Sequence, residues 1–486
     1  MISIPALWAF VAAGAESLHR VACNTGANLL YLAPVNDRAR PMLKLARRSF
    51  LLLLLALGAC AQIPAGTESQ APIIFVHGNG DTAALWYTTV WRFESNGYDR
   101  KLLHAIDFRY PLARAEDAKT QPLRSSTAEA MQELAAKVAE VRNLTGRDKV
   151  VLVGNSRGGN AIRNYVKNGG GAAFVSHAIL CGTPNHGVSD WEETRGNEFN
   201  GKGPFLTRLN AGPNEVVEGV RFMTLRSDFN DKFAFPDGRF IGTPGRRTNV
   251  GYDGPELKGA ENVVIPKIDH RETAYDTPAF AEMYRFITGR PPARLQIATE
   301  HDVILDGKVN GMESGVPTNL PVAGARVEIY EVGRDSGARR GPAVHSKSTG
   351  ADGLWGPFRA QLGTYYEFVV TLPGHSITHI YRSPFPRSSN LVHLRPATIA
   401  KGDLAAGSVV SISRPRGYFG HGRDVFMLDA QVPPGINDGV PGVAVGKLLL
   451  PEGPLRAVPA RFNDEYITVQ NWPAKDNHIV FAEFHY

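Results

Sequence analysis

The chain has 486 residues, too many for one ordinary domain. With 43% hydrophobic and 21% charged residues it is globular material, which excludes a disordered chain. The net charge of +6 is small for this length and its basic residues are scattered, which speaks against nucleic-acid binding; the three cysteines, Cys23, Cys60 and Cys181, form neither a disulfide framework nor a metal-ligand spacing.

Residues 1–41 precede a second methionine, Met42, and read as a misassigned upstream extension, with an added cytoplasmic segment as the alternative. Residues 42–60 read as a signal peptide. Lys44, Arg47 and Arg48 form a basic start, and the apolar run Phe50–Leu57 is too short to span a bilayer. Leu57-Gly58-Ala59-Cys60 resembles a bacterial lipobox, whose cysteine is lipidated, and Arg47-Arg48-Ser49-Phe50-Leu51 resembles a twin-arginine signal. Ordinary cleavage after Ala61 is the competing reading. Export is expected either way: an outer-membrane lipoprotein attached through Cys60, or a periplasmic or secreted bacterial protein. Cys181, in an apolar run, reads as a core residue.

Residues 66–292 alternate strand and helix. Ile73–Val76 reads as a buried strand followed by the turn His77-Gly78-Asn79-Gly80, and 84–96 as a helix. A strand at 102–107 follows. Ser126 and Glu129 form a capping-box signal before Met131, Leu134, Ala135, Val138 and Val141 at helical spacing. Val150–Val153 is a strand without polar alternation, as in a parallel sheet covered on both faces. A helix from Asn160, strands at 178–181 and 222–225, and a last helix at 278–287 complete a doubly wound α/β domain. Beyond about residue 295 helical periodicity fades. Short β runs at 325–330, 365–372 and 479–484 suggest β-sandwich modules at 295–396 and 397–486.

The chemistry centres on Gly154-Asn155-Ser156-Arg157-Gly158. A G-x-S-x-G sequence between a strand and a helix fits a turn that exposes a serine at the tip of a sheet. A serine nucleophile needs a base, usually a histidine held by a carboxylate, and in such folds the chain order is Ser, acid, His. His177 and His186 come too early. His270, between the run 263–269 and the last helix, stands where the base belongs. The acid should follow the strand at 222–227, which offers Asp228 and Asp231. Asp231 is preferred, because the loop needs room to turn back, with Asp228 as the residue that shapes the turn. Asp269 is a poor choice, since adjacent side chains point apart. An oxyanion hole needs two backbone N–H groups, assigned to Arg157 and Asn79.

The stretches PIIFVHGNGDTAALW, AIDFRYP, VVLVGNSRGGNAIRNYV, ILCGTPNHGV and IDHRETAYDTPAFAEMYRFI together resemble α/β-hydrolase lipases and esterases, close to the class-two bacterial lipases, over about residues 72–289. The resemblance implies Ser156 as nucleophile, Asp231 as acid, His270 as base, and Asn79 and Arg157 as oxyanion amides. Asn155 and Arg157 depart from the residues common in that family, His and Met or Gln. Both are expected to line the mouth of the site. Residues 187–219, with Trp191, Phe199, Phe205, Leu206 and Leu209, read either as a lid or as an ordinary helical excursion. The β half resembles transthyretin-like carboxypeptidase-regulatory modules, which speaks to architecture and not activity.

The expected function is an exported serine ester hydrolase, a lipase or carboxylesterase on apolar acyl esters, working without metal or cofactor. A polyester depolymerase and an inert envelope-binding protein are the alternatives. Trp355, Tyr365, Tyr366, Tyr418 and Phe419 are expected to be exposed and to hold the enzyme on a lipid or polymer surface, leaving the hydrolase domain active without them; the alternative is that the β half covers apolar surface on the catalytic domain and stabilises it.

Overall fold

The computed structural model describes residues 70–436 and 438–486. The upstream extension, the signal segment, Cys23 and Cys60 therefore lie outside the described residues.

Six strands form a parallel sheet in the order β2-β1-β3-β4-β5-β6: β1 (Ile73–Val76), β2 (Leu103–Ile106), β3 (Val150–Asn155), β4 (Val175–Cys181), β5 (Arg221–Ser227) and β6 (Glu261–Ile265). Successive side chains of a strand point to opposite faces, so each uninterrupted apolar run feeds two cores. Phe75, Val153, Ile179 and Leu225 pack on one face with Trp86, Phe93, Phe280 and Met283, brought by α1 (Tyr87–Ser95), its preceding turn, and a later helix, Thr277–Thr288. Ile74, Val76, Leu152 and Leu180 pack on the other with Leu134, Val138, Ile162 and Val166 from α2 (Thr127–Thr145) and α3 (Arg157–Asn168). α2 begins at the expected capping box and ends at Gly146, whose φ of 65° closes the helix in the left-handed region. α3 starts directly after Ser156, three residues before the expected Asn160. A short helix α4 (Pro204–Leu209) follows β4, and Thr277–Thr288, here α5, ends the hydrolase part.

The β half begins with β7 (Val303–Leu305), β8 (Asn310–Glu313), β9 (Val316–Pro321), β10 (Arg326–Val332), β11 (His345–Ser348), β12 (Phe358–Ala360), β13 (Tyr365–Thr371) and β14 (Ile377–Arg382). It continues with β15 (Ser408–Ser413), β16 (Phe426–Leu428), β17 (Val445–Leu450), β18 (Ala457–Phe462), β19 (Glu465–Gln470) and β20 (His478–Glu483). The boundary expected near 397 is not a boundary between sheets. One seven-stranded sheet, β11-β10-β13-β14-β20-β15-β17, takes strands from both sides of it, joined where β14 pairs parallel with β20. A smaller sheet, β16-β18-β19, shares the core of the second module with β15, β17 and β20.

The hydrolase and β halves also share a core, and both fall within one compact unit, Ser69–Tyr486. Tyr87 and Trp91 of α1 are fully buried among Val303, Leu305, Val309 and Phe385. Trp91 Nε1 donates to Ser388 O at 2.8 Å, and the Tyr87 hydroxyl meets His485 Nδ1 at 2.6 Å. Asp107, at the end of β2, receives Lys308 Nζ at 2.7 Å, His393 Nε2 at 3.0 Å and the Ala83 N–H at 2.7 Å. Burial opposes its ionisation, but His393, Lys308 and His77 outweigh that and hold its carboxyl well below the usual carboxylate range.

The surface expected of the aromatics is absent. Trp355, Tyr366, Tyr418 and Phe419 are buried and Tyr365 is half-buried. The run Tyr365–Thr371 lies in the interior of the seven-stranded sheet with almost every residue buried, so its rings fill cores rather than face solvent.

Candidate active site

Ser156 sits between β3 and α3 with φ 54° and ψ −123°, a conformation that costs a non-glycine residue about 1–3 kcal/mol and persists only where the surroundings impose it. Its N–H donates to Cys181 O at 2.8 Å. Two glycines let the loops close around it. A Cβ on Gly158 would lie 2.6 Å from His77 O, and one on Gly78 would lie 2.9 Å from Ser156 Cβ. The first loop and the elbow thus meet backbone to backbone, with the N-terminus of α3 aimed at the space beside the serine.

His270 lies in the loop after β6, buried, and Asp231 in the loop after β5, also buried. His270 Nδ1 bonds Asp231 Oδ2 at 2.9 Å. The other oxygen, Oδ1, accepts the Phe233 N–H at 2.8 Å, and the Phe233 ring stands edge-on to the imidazole at 4.7 Å. His270 Nε2 is buried and has no hydrogen-bond partner among the described residues, so Ser156 and His270 share the pocket without bonding each other. Such contacts are often long in unliganded sites.

Asp228 does not reach the histidine. Its Oδ1 accepts from the N–H groups of Phe229 and Lys267 and from Asn230 Nδ2, so it shapes the turn. Asp269, adjacent to His270, turns away toward Arg414 Nη1 at 3.1 Å. Burial opposes its charge, but Arg414 and Arg423 hold it below the usual range.

Asn79 lines the pocket, and its side-chain oxygen accepts the Ala113 N–H at 2.7 Å. Among the described residues neither the Asn79 nor the Arg157 N–H donates to a protein acceptor. The Arg157 side chain does not line the mouth as expected. It is buried on the far side of the elbow, with Nε on Glu198 at 2.8 Å and Nη2 on Ser125 O at 2.8 Å. Asn155 does line the pocket, but its Nδ2 faces Cys181 O and His270 O at 3.1 Å each and so holds the backbone of His270. In the segment 187–219, Val188 and Phe199 form pocket wall, Phe205, Leu206 and Leu209 form a small core of their own, and Glu198 ties the segment to Arg157.

The rest of the wall is Pro184, Phe233, Ile241, Asp81, Arg271 and Tyr418. Tyr418 belongs to the second β module and had no local signal pointing to it. Nor had Asn319 of the first module, whose Nδ2 donates to Asp81 O at 2.9 Å and lies 3.3 Å from His77 Nε2. Burial lowers the affinity of His77 for a second proton, so the neutral ring can donate through Nδ1 to Gly78 O and accept at Nε2 from the Phe108 N–H. The glycine turn next to Ser156 is therefore braced from behind by a histidine and by the β half.

Residues 70–187 match the family Lipase (class 2), and residues 302–399 match the family Lipase C-terminal domain. The class-two lipase resemblance read in the sequence is thus present in the hydrolase half, and the β half matches a lipase C-terminal domain. Among solved structures, the mature lipase BlEst2 of Bacillus licheniformis is 21% identical, covering 46% of this chain and 93% of its own, with a TM-score of 0.35. Lipase B of Aspergillus fumigatus is 13% identical over 48% of this chain and 56% of its own, TM-score 0.32. The carboxylesterase CesB of Bacillus subtilis is 15% identical over 46% of this chain and 86% of its own, TM-score 0.26. No curated protein matches the chain.

Proposed function

We propose that the chain is a serine ester hydrolase acting on apolar acyl esters, with Ser156, His270 and Asp231 as a catalytic triad. The observation that carries this reading is the buried His270, bonded to Asp231 through Nδ1 and left with a free Nε2 in the pocket that Ser156 lines. Asp231 fixes the tautomer, so the basic nitrogen points at the serine side. Ser156 Oγ attacks the ester carbonyl carbon while its proton passes to His270 Nε2. The Asn79 and Arg157 N–H groups stabilise the negative oxygen of the tetrahedral intermediate, helped by the positive end of α3. The intermediate collapses to an acyl-serine, and His270 returns the proton to the departing alcohol. Water then attacks the acyl-serine with His270 again as base, releasing the acid and restoring the serine.

The matches to lipase families support ester hydrolysis, and the apolar wall of Val188, Phe199, Phe233 and Ile241 supports an apolar acyl group. Ser156→Ala should lower kcat/KM on a soluble nitrophenyl ester by on the order of 10⁴-fold or more, because triad members act as a unit. A variant that keeps a tenth of the wild-type rate would reject the assignment.

A further inference from the structure

We infer that Tyr418, delivered by the second β module, is a specificity-determining residue that closes the ester pocket and restricts it to short chains. This rests on the ester-hydrolase reading above and adds the size of the substrate to it.

The pocket that holds Ser156 and His270 has a volume of about 160 Å³ and is partly open to solvent. A cavity of about 150 Å³ holds one benzene ring, so the walls of this one surround a group of about six carbons. Most of its wall comes from the hydrolase half. Tyr418 is the exception, and it arrives from 148 residues beyond the base, His270.

Two cations contact the ring. Lys232 Nζ sits 3.9 Å from its centroid and Arg271 Cζ 5.1 Å from it, so two cations flank the ring. Lys232 is itself fixed by Gly442 O at 2.9 Å, and Arg271 by Pro415 O at 2.9 Å and by Asp81 at 3.3 Å. The Tyr418 backbone is pinned as firmly: its N–H donates to Asp269 Oδ2 at 2.7 Å and its carbonyl accepts from Arg414 Nη1 at 2.6 Å. A side chain clamped in this way is a fixed end wall rather than a swinging gate. Replacing it by a small residue leaves a cavity continuous with the pocket, because the clamped neighbours cannot collapse into it.

The test is the chain-length profile of nitrophenyl esters from acetate to laurate with the full chain. Wild type should prefer esters of up to about six acyl carbons. Tyr418→Ala should raise the ratio of laurate to butyrate kcat/KM at least tenfold, and Tyr418→Phe, which keeps the ring, should keep the short-chain ratio. Tyr418→Leu serves as a second opening variant if the alanine form does not fold. The inference is overturned if wild type prefers laurate, or if the opening variants leave the ratio unchanged, whether both rates fall together or neither does. Failure of the underlying reading is separate: it would show as hydrolysis of every ester surviving in Ser156→Ala.

Discussion

The two halves of the molecule hold the same site in different ways. The parallel sheet supplies the groups of the proposed triad from the ends of its strands and the loops beyond them: Ser156 after β3, Asp231 after β5, His270 after β6. The β half supplies none of these in the proposed chemistry, yet it grips the loops that carry His270 and Asp231 and the turn that faces Ser156. Asn319 braces the Gly78–Asp81 turn, Arg414 takes Asp269 beside the base, and Tyr418 stands in the wall. Chemistry here is local to short motifs, whereas the rigidity and shape of the pocket are supplied from more than a hundred residues away.

The strongest way to break this comparison is to separate the halves. Cutting the chain after Arg290 strips the cover from Tyr87 and Trp91, removes Lys308 and His393 from Asp107 and opens the pocket. The truncated form should lose hydrolysis of soluble and emulsified esters together, along with a cooperative melting transition. This favours the stabilising cover over the detachable surface anchor, the two readings of the β half that the sequence allowed. Full activity on a soluble ester after truncation would restore the anchor and refute the shared site.

Within the hydrolase half, Asp231→Asn should cost on the order of 10³–10⁴-fold in kcat, since the asparagine favours the wrong tautomer of His270. Asp228→Asn, which touches only its own turn and the Lys267 N–H, should stay within tenfold of wild type. Steady-state kinetics on both variants decides between them, and the reverse order would move the acid to Asp228.

The motif, its chain order and the capping box were legible because each is written within a few neighbouring residues. His270 and Asp231 could be chosen because the sheet order limits where they can stand. The places of Asn319 and Tyr418 at the site were invisible, since the contacts of Asn319 with His77 and of Tyr418 with Asp269 span 242 and 149 residues and leave no local pattern. The aromatics were misread for a different reason. The run Tyr365-Tyr366-Glu367-Phe368-Val369-Val370 has almost no polar alternation, which is the pattern of a strand covered on both faces, and that signal argued for a core. The parallel β14–β20 pairing that erases a boundary at 397 joins strands about a hundred residues apart, beyond the reach of turn signals.

Arg157 sharpens the comparison from inside the elbow. Burial pushes Glu198 up even with Arg157 beside it, so the pair is held at an electrostatic cost. Arg157→Met leaves Glu198 buried without a partner and should destabilise the fold by about 3 kcal/mol, while Arg157→Met with Glu198→Gln should recover most of that. Chemical denaturation measures both. A single variant as stable as wild type would show that the pair does not tie the 187–219 segment down.

A smaller effect should appear at the seam between the halves. Asp107 has a depressed folded-state pKa, so the stability it contributes is present above the ordinary aspartate value of about 3.9 and lost as pH falls below it. The melting-temperature gap between wild type and Asp107→Asn should hold steady from neutral pH down to about pH 5 and shrink below about pH 4. A gap that widens in acid would remove Asp107 from the seam.

The central claim is that one serine, Ser156, is activated in a site built by both halves. Reaction with a fluorophosphonate probe tests it most directly, because such probes bond only to activated nucleophiles. Mass spectrometry of the labelled full-length chain should find a single adduct, on the peptide carrying Ser156, that disappears in Ser156→Ala and is strongly slowed in His270→Ala. No adduct on the folded chain, or an adduct on another residue that persists in Ser156→Ala, would contradict the account.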